Sequence, residues 1–287
     1  TQGKVREALN SETLRRVAIK IVNLRQLRKV RNAEDAMRRE MFIHRRLKHM
    51  NVVELIEEFR IETKDKWYVV LEMVTGGSLQ DLLDSKHDNI LPNSMASRFT
   101  RQLLEGLDYC HSRGVVHRDI KPSNMMVNTD GVLKICDFGV AEQLNEYDGS
   151  DACTKSRGSP AFQPPEVASG ENVTFSGCKV DVWAAGISLF LITSGRVPFE
   201  GTSLINLFEN IAKGEYAMPT CIERDVELAS LLRGLLQVNQ HCRLGVKEAL
   251  RHSWLNSSHD DSNQWRLEEK QLVEQITMHR SARSNAV

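Results

Sequence analysis

The chain has 287 residues, with 38 Lys plus Arg and 38 Asp plus Glu, so its formal net charge is zero. Hydrophobic residues make up 41% and charged residues 26%, an ordinary globular composition that excludes a disordered, collagenous or low-complexity chain. This length predicts about two domains. Electrical neutrality gives no overall attraction to nucleic acid, so we expect no nucleic-acid partner.

Cysteine spacing and apolar stretches narrow the class of protein further. The six cysteines form no C-x-x-C pair, which favours buried thiols in a reducing compartment over zinc or redox chemistry. The longest apolar stretch, residues 182–193, is too short for a membrane span and predicts a buried core helix. The chain opens without a signal segment and begins at Thr1 rather than Met, so we expect a fragment whose start is missing.

The first 75 residues predict a strand-rich unit with one helix. The apolar positions Met37, Met41 and Leu47 predict a helix over residues 34–48. Segments rich in β-branched and aromatic residues predict strands over Lys4–Leu9, 15–22, 52–59 and 67–73.

The remainder of the chain predicts mostly helices, beginning after a glycine hinge at residues 75–77. Ser78 and Asp81 resemble a capping box, with Asp in place of the usual Glu or Gln. Further helices are predicted over residues 94–112, 180–194 and 203–213. A small strand-rich lobe followed by a larger helical lobe predicts an α+β fold, with a ligand site in the cleft between the lobes.

The most informative motif is His117-Arg118-Asp119 followed by Asn124. A predicted hairpin comes next, and its second strand runs directly into Asp137-Phe138-Gly139. Hairpin geometry brings Asp119, Asn124 and Asp137 close together. Carboxylates and an amide oxygen clustered in this way are suited to Mg²⁺.

With these motifs, the chain resembles the eukaryotic protein kinase family. Segment 117–124 matches the catalytic loop of the family, and segment 137–139 matches its metal-binding motif. The resemblance implies a bilobal kinase domain over residues 1–255, with an N-lobe at 1–74 that lacks its first strand and a C-lobe at 78–255. Residues 256–287 are then expected to form a linker and a flanking helix at 265–278.

The resemblance implies a serine/threonine kinase that uses ATP and Mg²⁺ or Mn²⁺. Asp119 is expected to accept the hydrogen bond of the substrate hydroxyl, and Lys121 to steady the transferred phosphoryl group. Asn124 and Asp137 are expected to hold the metal ions. A lysine two positions after the aspartate is the family's pattern for Ser/Thr rather than Tyr substrates.

The resemblance also implies a nucleotide site. Lys20 lies in a segment that looks like the third-strand motif of the family, so it is expected to hold the ATP phosphates and to pair with Glu40. Taken alone, the two residues fit better with a strand-edge lysine and a solvated helix glutamate, and the motifs around the catalytic loop reverse that preference. The other implied nucleotide-binding residues are Gly3 and Val5, which remain from a glycine-rich loop, and Ala18, Glu72, Val74 and Met126.

Residues 137–166 resemble the activation segment of the family. Glu166 is expected to form a buried ion pair with Arg243. Asp181 looks like the helix residue that anchors the backbone of the catalytic loop, and a helix N-cap is the alternative role.

The same resemblance predicts roles for two further residues, Arg118 and His44. Arg118 could bind a phosphate on Thr154 or Ser156, while two solvated loop hydroxyls are the alternative. His44 falls at an inter-lobe packing position that is usually aliphatic, where we expect a satisfied core histidine rather than a pH sensor.

Longer motifs resemble one subfamily, the kinases that act upstream of AMP-activated protein kinase. Its substrates are activation-segment threonines of downstream kinases, and its partners are a catalytically dead kinase-like adaptor and a helical-repeat scaffold. The implied location is the cytoplasm and also the nucleus, with roles in cell polarity and tumour suppression. The alternative function is a catalytically weak or inactive kinase-like scaffold. The segments that carry this resemblance are 10–16, 140–142, 158–166, 175–183 and 207–219.

Overall fold

The computed structural model describes residues 3–144, 150–154, 157–169, 174–256 and 271. Ser156 and the predicted flanking helix over 265–278 therefore lie outside the described residues, apart from Gln271.

The first lobe is built on a four-stranded antiparallel sheet in the order β1-β2-β4-β3. Its strands are β1 (Lys4–Leu9), β2 (Arg16–Asn23), β3 (Leu55–Ile61) and β4 (Lys66–Glu72). All four predicted strands are present, but β3 begins at Leu55 rather than at residue 52. Val52 and Val53 are instead bonded to Ile135 of the second lobe, which shortens the strand.

Two helices cover this sheet, α1 (Leu24–Arg28) and α2 (Ala33–His44). Helix α1 was not predicted, since five residues are too few for a periodic apolar pattern; it begins where the Asn23 side chain accepts a hydrogen bond from the Gln26 amide. Helix α2 ends at His44 instead of residue 48. Met37 and Met41 of α2 are buried against the sheet, as their spacing predicts.

The second lobe is mainly helical. The predicted capping box is confirmed, because Ser78 Oγ accepts from the Asp81 amide at 3.1 Å and Asp81 Oδ2 accepts from the Ser78 amide at 2.8 Å. The helices are α3 (Leu79–Asp84), α4 (Asn93–Ser112), α5 (Pro165–Ala168), α6 (Gly177–Ser194), α7 (Leu204–Lys213), α8 (Thr220–Glu223), α9 (Val226–Leu235), α10 (Val246–Leu250) and α11 (Ser253–Asn256).

Helix α6 forms the centre of this lobe. It is apolar nearly all round, as predicted, and Trp183 is among its fully buried side chains. Among the described helices, α6 alone is long and apolar enough to cross a membrane, but 78% of that stretch is buried inside the fold. The burial fits the predicted core helix.

Three short antiparallel strand pairs complete the second lobe. The predicted hairpin is confirmed as β6 (Met125–Val127) and β7 (Leu133–Ile135), and its turn is closed by Asn128 Oδ1, which accepts from the Asp130 and Val132 amides. The other pairs are β5 (Val115–Val116) with β8 (Glu142–Gln143), and β9 (Ala152–Cys153) with β10 (Phe175–Ser176). The expected bilobal α+β architecture is thus confirmed.

Candidate active site

Asp181 of α6 anchors the loop that carries Asp119. Its carboxylate is fully buried and accepts hydrogen bonds from the His117 amide at 2.9 Å and the Arg118 amide at 2.7 Å. The alternative N-cap role is wrong, because Ser176 caps α6. Burial works against the charged carboxylate, but the hydrogen bond from His111 at 2.8 Å and the nearby imidazoles outweigh it and lower the pKa of Asp181.

Asp119 is the point on which the predicted catalytic residues converge. Its Oδ2 lies 2.8 Å from Lys121 Nζ and accepts from Asn124 Nδ2 at 2.9 Å. Burial alone would raise the pKa of this carboxyl, yet hydrogen bonds from Lys121 and Ser159 lower it overall. The side chain is therefore an ionised hydrogen-bond acceptor at neutral pH.

Ser159 is a residue of this site that the sequence analysis missed. Its amide and hydroxyl donate to Asp119 Oδ1 at 2.9 and 2.8 Å, and its hydroxyl also accepts from Lys121 Nζ at 2.6 Å. The available signal was the preceding Gly158, which has φ +106°, where a Cβ would lie 2.2 Å from the Arg118 carbonyl oxygen. Only glycine lets the activation segment pass so close to the catalytic loop.

Asn124 and Asp137 flank the two ends of the hairpin, which antiparallel pairing brings to the same edge. Asn124 Nδ2 donates to Asp119, so the amide oxygen is left as an acceptor, and the Asn124 carbonyl accepts from the Cys136 amide at 2.9 Å. Asp137 has φ +64°, a left-handed conformation that is uncommon for aspartate and recurs at functional sites.

The side-chain oxygens of Asn124 and Asp137 are suited to a hard divalent ion. One carboxylate and one amide oxygen, completed by phosphate oxygens and water, are the ligands that Mg²⁺ accepts in nucleotide sites. Within the described residues, no cluster of three or more His, Cys, Asp or Glu side chains could hold a metal ion by itself. The fit therefore depends on a phosphate-bearing ligand.

The predicted ion pair between Lys20 and Glu40 is confirmed. Lys20 Nζ lies 3.2 Å from Glu40 Oε1, and the side chains are 15% and 5% exposed, so the solvated alternative is wrong. Helix α2 is docked against the metal-binding motif as well, since a Cβ on Gly139 would lie 3.5 Å from Glu40 Oε2.

The other predicted nucleotide-binding residues lie on both sides of the cleft. Val5 of β1 is opposite Lys20 in the sheet, and Ala18 precedes Lys20 by two residues, on the same face of β2. Gly3 flanks β1, Glu72 ends β4, and Val74 is buried in the hinge. Met126 lies across the cleft on β6 and bridges to Ser78. Their contacts with a nucleotide stay predictions.

Phe138 joins α2 to the catalytic loop. Its ring centre lies 4.8 Å from that of His44 and 4.9 Å from that of His117. His44 Nε2 lies 2.6 Å from the Val53 carbonyl oxygen, which confirms a satisfied core histidine. Burial lowers the pKa of His44, so the imidazole is neutral at neutral pH.

Arg118 has a carboxylate partner within the chain that the sequence analysis missed. Its Nε and Nη2 donate to the Val140 carbonyl at 2.9 and 2.6 Å, and its Nη1 pairs with Glu142. Strand β8 positions Glu142 opposite Val116 of β5, next to the catalytic loop. Thr154 is exposed, and both its phosphorylation and the contact of its phosphate with Arg118 stay predictions.

The predicted pair between Glu166 and Arg243 is also confirmed. It is bidentate, with Arg243 Nη1 and Nη2 donating to the Glu166 oxygens at 2.7 and 2.9 Å. Arg243 is 1% exposed and stacks on Trp183, so the pair ties the end of the activation segment to the core.

Comparison with known proteins agrees with this geometry. The sequence model of the protein kinase domain family matches residues 1–255. The chain is 46% identical over 257 residues to the serine/threonine-protein kinase stk11 of Xenopus laevis, covering 90% of this chain and 59% of that protein. It is 45% identical over 257 residues to STK11 of Homo sapiens, covering 90% of this chain and 58% of that protein.

The chain is also similar to a nematode kinase, at a lower identity. The chain is 42% identical over 256 residues to the serine/threonine-protein kinase par-4 of Caenorhabditis elegans, covering 89% of this chain and 41% of that protein. The chain thus spans about three fifths of the length of the STK11 proteins. STK11 is liver kinase B1, the subfamily that the longer motifs resemble, so the predicted resemblance is confirmed.

Proposed function

The chain belongs to the protein kinase family, and from that premise we propose that it is an active serine/threonine kinase that transfers the γ-phosphate of ATP to a protein hydroxyl. The observation that carries the proposal is the convergence of Lys121, Asn124 and Ser159 on the ionised carboxylate of Asp119. The family implies ATP and a divalent metal as cofactors. We propose Mg²⁺ or Mn²⁺ as the metal.

Each residue of the site has a role in this reaction. Asp119 accepts the hydrogen bond of the substrate hydroxyl and orients it for attack, and Lys121 adds positive charge beside the transferred group. Lys20, oriented by Glu40, holds phosphate oxygens. A bound metal ion supplies further neutralisation of phosphate charge at Asn124 and Asp137. Rate enhancement then comes from positioning and charge rather than from covalent chemistry.

A catalytically weak or inactive kinase-like scaffold is the alternative. Such a scaffold needs no complete catalytic set, whereas here Lys20 is paired with Glu40 and Asp119 keeps its full hydrogen-bond shell. The intact set therefore favours an active enzyme.

We also propose that the substrates are activation-segment threonines of downstream kinases related to AMP-activated protein kinase. A catalytically dead kinase-like adaptor and a helical-repeat scaffold are proposed as partners, in the cytoplasm and the nucleus. The support is the similarity to STK11 over 90% of this chain. Because the STK11 proteins are longer than this chain, these are proposals for the whole protein.

A phosphate-transfer assay on the full-length protein tests the activity. The substrate is a peptide that carries an activation-segment threonine, with Thr→Ser and Thr→Tyr peptides as controls. We expect transfer to Thr and Ser only, and a loss of about 10²-fold or more in Asp137→Ala. Equal signals from wild type and Asp137→Ala would contradict an active kinase.

The same assay tests the partners. Repeating it with and without the adaptor and scaffold should show a higher rate when both are present. Indifference to both would contradict the partner proposal and leave the kinase proposal intact.

A further inference from the structure

A lysine on strand β7 forms an ion pair with the last residue of strand β4, across the two lobes. Lys134 Nζ lies 2.9 Å from Glu72 Oε1. Lys134 belongs to the strand that ends two residues before Asp137, and Glu72 lies three residues before the glycine hinge. The pair thus connects the hinge side of the cleft to the metal side.

This pair is less exposed than the nearby surface pair between Lys48 and Glu54. The side chains of Lys134 and Glu72 are 11% and 31% exposed, whereas those of Lys48 and Glu54, which pair at 3.1 Å, are 83% and 43% exposed. Lysine is almost never buried without a partner, and removing one member of a buried pair leaves an uncompensated charge. The Lys134–Glu72 contact is therefore a constrained geometry rather than a solvated one.

Glu72 is held from a second side as well. Its Oε2 accepts from the Glu54 amide at 3.2 Å, and its own amide donates to the Glu54 carbonyl at 2.9 Å. Both carboxylate oxygens of Glu72 and its backbone amide therefore have partners.

Strand β7 is held by the same connection. The Ile135 amide donates to the Asn51 carbonyl at 2.8 Å, and the Val53 amide donates to the Ile135 carbonyl at 2.9 Å. Residues 51–54, strand β7 and the end of β4 therefore form a closed ring of three segments, in which the Lys134–Glu72 pair is the side-chain link.

We propose that Lys134 is a positioning residue for the nucleotide: its ion pair with Glu72 fixes the hinge relative to Asp137. The inference rests on the proposed function, since it takes ATP as the phosphate donor. A site held in its binding geometry loses less conformational freedom when the ligand binds. Loss of the pair should therefore weaken ATP binding more than it slows transfer from bound ATP.

The test is Lys134→Met in the full-length protein, with ATP affinity measured by displacement of a fluorescent ATP analogue. We expect the Kd and the KM for ATP to rise about tenfold, equivalent to ~1.4 kcal/mol, with kcat at saturating ATP changed less than about twofold. The KM for the peptide substrate should not change. Lys134→Arg, which keeps the ion pair, should stay near wild type.

Lys48→Met is the matched control, because it removes a lysine from an exposed Lys–Glu pair. It should leave ATP affinity unchanged. Thermal melting of each variant shows whether it is folded, and Lys134→Gln replaces Lys134→Met if the latter is not.

Three results would overturn the inference: unchanged ATP affinity in the folded Lys134 variant, an equal loss in Lys134→Arg, or a higher kcat with unchanged affinity. The last would mean that the pair restrains the lobes instead of positioning the nucleotide. A wild-type protein that binds ATP without transferring phosphate would contradict the proposed function, and the affinity measurements would still test the role of Lys134.

Discussion

The two lobes hold their functional charges in different ways. In the C-lobe, Asp181 and Arg243 are completely buried, and each bonds both to backbone groups and to a side chain. In the N-lobe, Lys20 is partly exposed and reaches Glu40 at 3.2 Å. A fully buried charge is costly to uncouple from its partner, and this cost falls as water reaches one member of the pair. The C-lobe charges thus maintain the fold, and the N-lobe pair sets an adjustable geometry.

The largest effect is expected at Asp181. Asp181→Ala removes the acceptor of two buried backbone amides and the partner of His111, so the free energy of unfolding should fall by about 3–5 kcal/mol in denaturant titrations. Asp130→Ala, at an exposed turn, should change it by less than about 0.5 kcal/mol. A similar small change in both variants would remove the contrast between the lobes.

Lys20→Met should reduce activity much more than it reduces stability. We expect kcat/KM for ATP to fall by about 10²–10³-fold, because phosphate charge loses its fixed partner. The free energy of unfolding should fall by about 2 kcal/mol, less than in Asp181→Ala, because one ion pair is lost and water reaches the lysine side chain. Steady-state kinetics and denaturant titration of one preparation measure both quantities. A stability loss as large as that of Asp181→Ala would show that the N-lobe pair also maintains the fold.

Glu142→Ala tests the link between the activation segment and the catalytic loop. It removes the carboxylate that pairs with Arg118, so the segment should be less well ordered and kcat should fall about tenfold. Glu7→Ala, which breaks an exposed pair with Arg16, is the control and should leave kcat unchanged. Wild-type kcat in Glu142→Ala would mean that this carboxylate does not support the active arrangement.

The smallest effect is expected from pH, at His44. In the unfolded chain its pKa is about 6.5, whereas burial lowers it in the folded protein. The unfolded state therefore binds more protons as pH falls below about 6.5, and the folded state loses stability there. The free energy of unfolding, measured between pH 5.5 and 7.5, should depend less on pH in His44→Leu. An unchanged slope would show that burial does not lower the pKa of His44 below that in the unfolded chain.

Much of the site could be predicted because its residues follow one another along the chain. Asp119 and Asn124 share one loop, and a short hairpin returns the chain to Asp137. Local hydrogen bonding and turn chemistry are enough to bring such residues together. The glycine hinge and the capping box at Ser78 are equally local, and the structure confirms the capping box.

The contacts that the sequence analysis did not predict all join segments that are distant along the chain. Ser159 meets Asp119 across 40 residues, Arg118 meets Glu142 across 24, and Lys134 meets Glu72 across the lobes. Each side chain taken alone is compatible with a solvated loop or strand, so no local pattern distinguishes the partner.

The sequence by itself determined the catalytic and metal-binding motifs, through their resemblance to the protein kinase family, and the two-lobe division, because periodicity and turn residues encode local backbone structure. Only the tertiary structure decided that β3 begins after Val52 and Val53, that Arg118 faces a carboxylate, and that Lys134 links strand β7 to the hinge. The physical reason is that these outcomes depend on which buried polar groups become partners when the lobes pack. Those partners come from segments that are far apart along the chain.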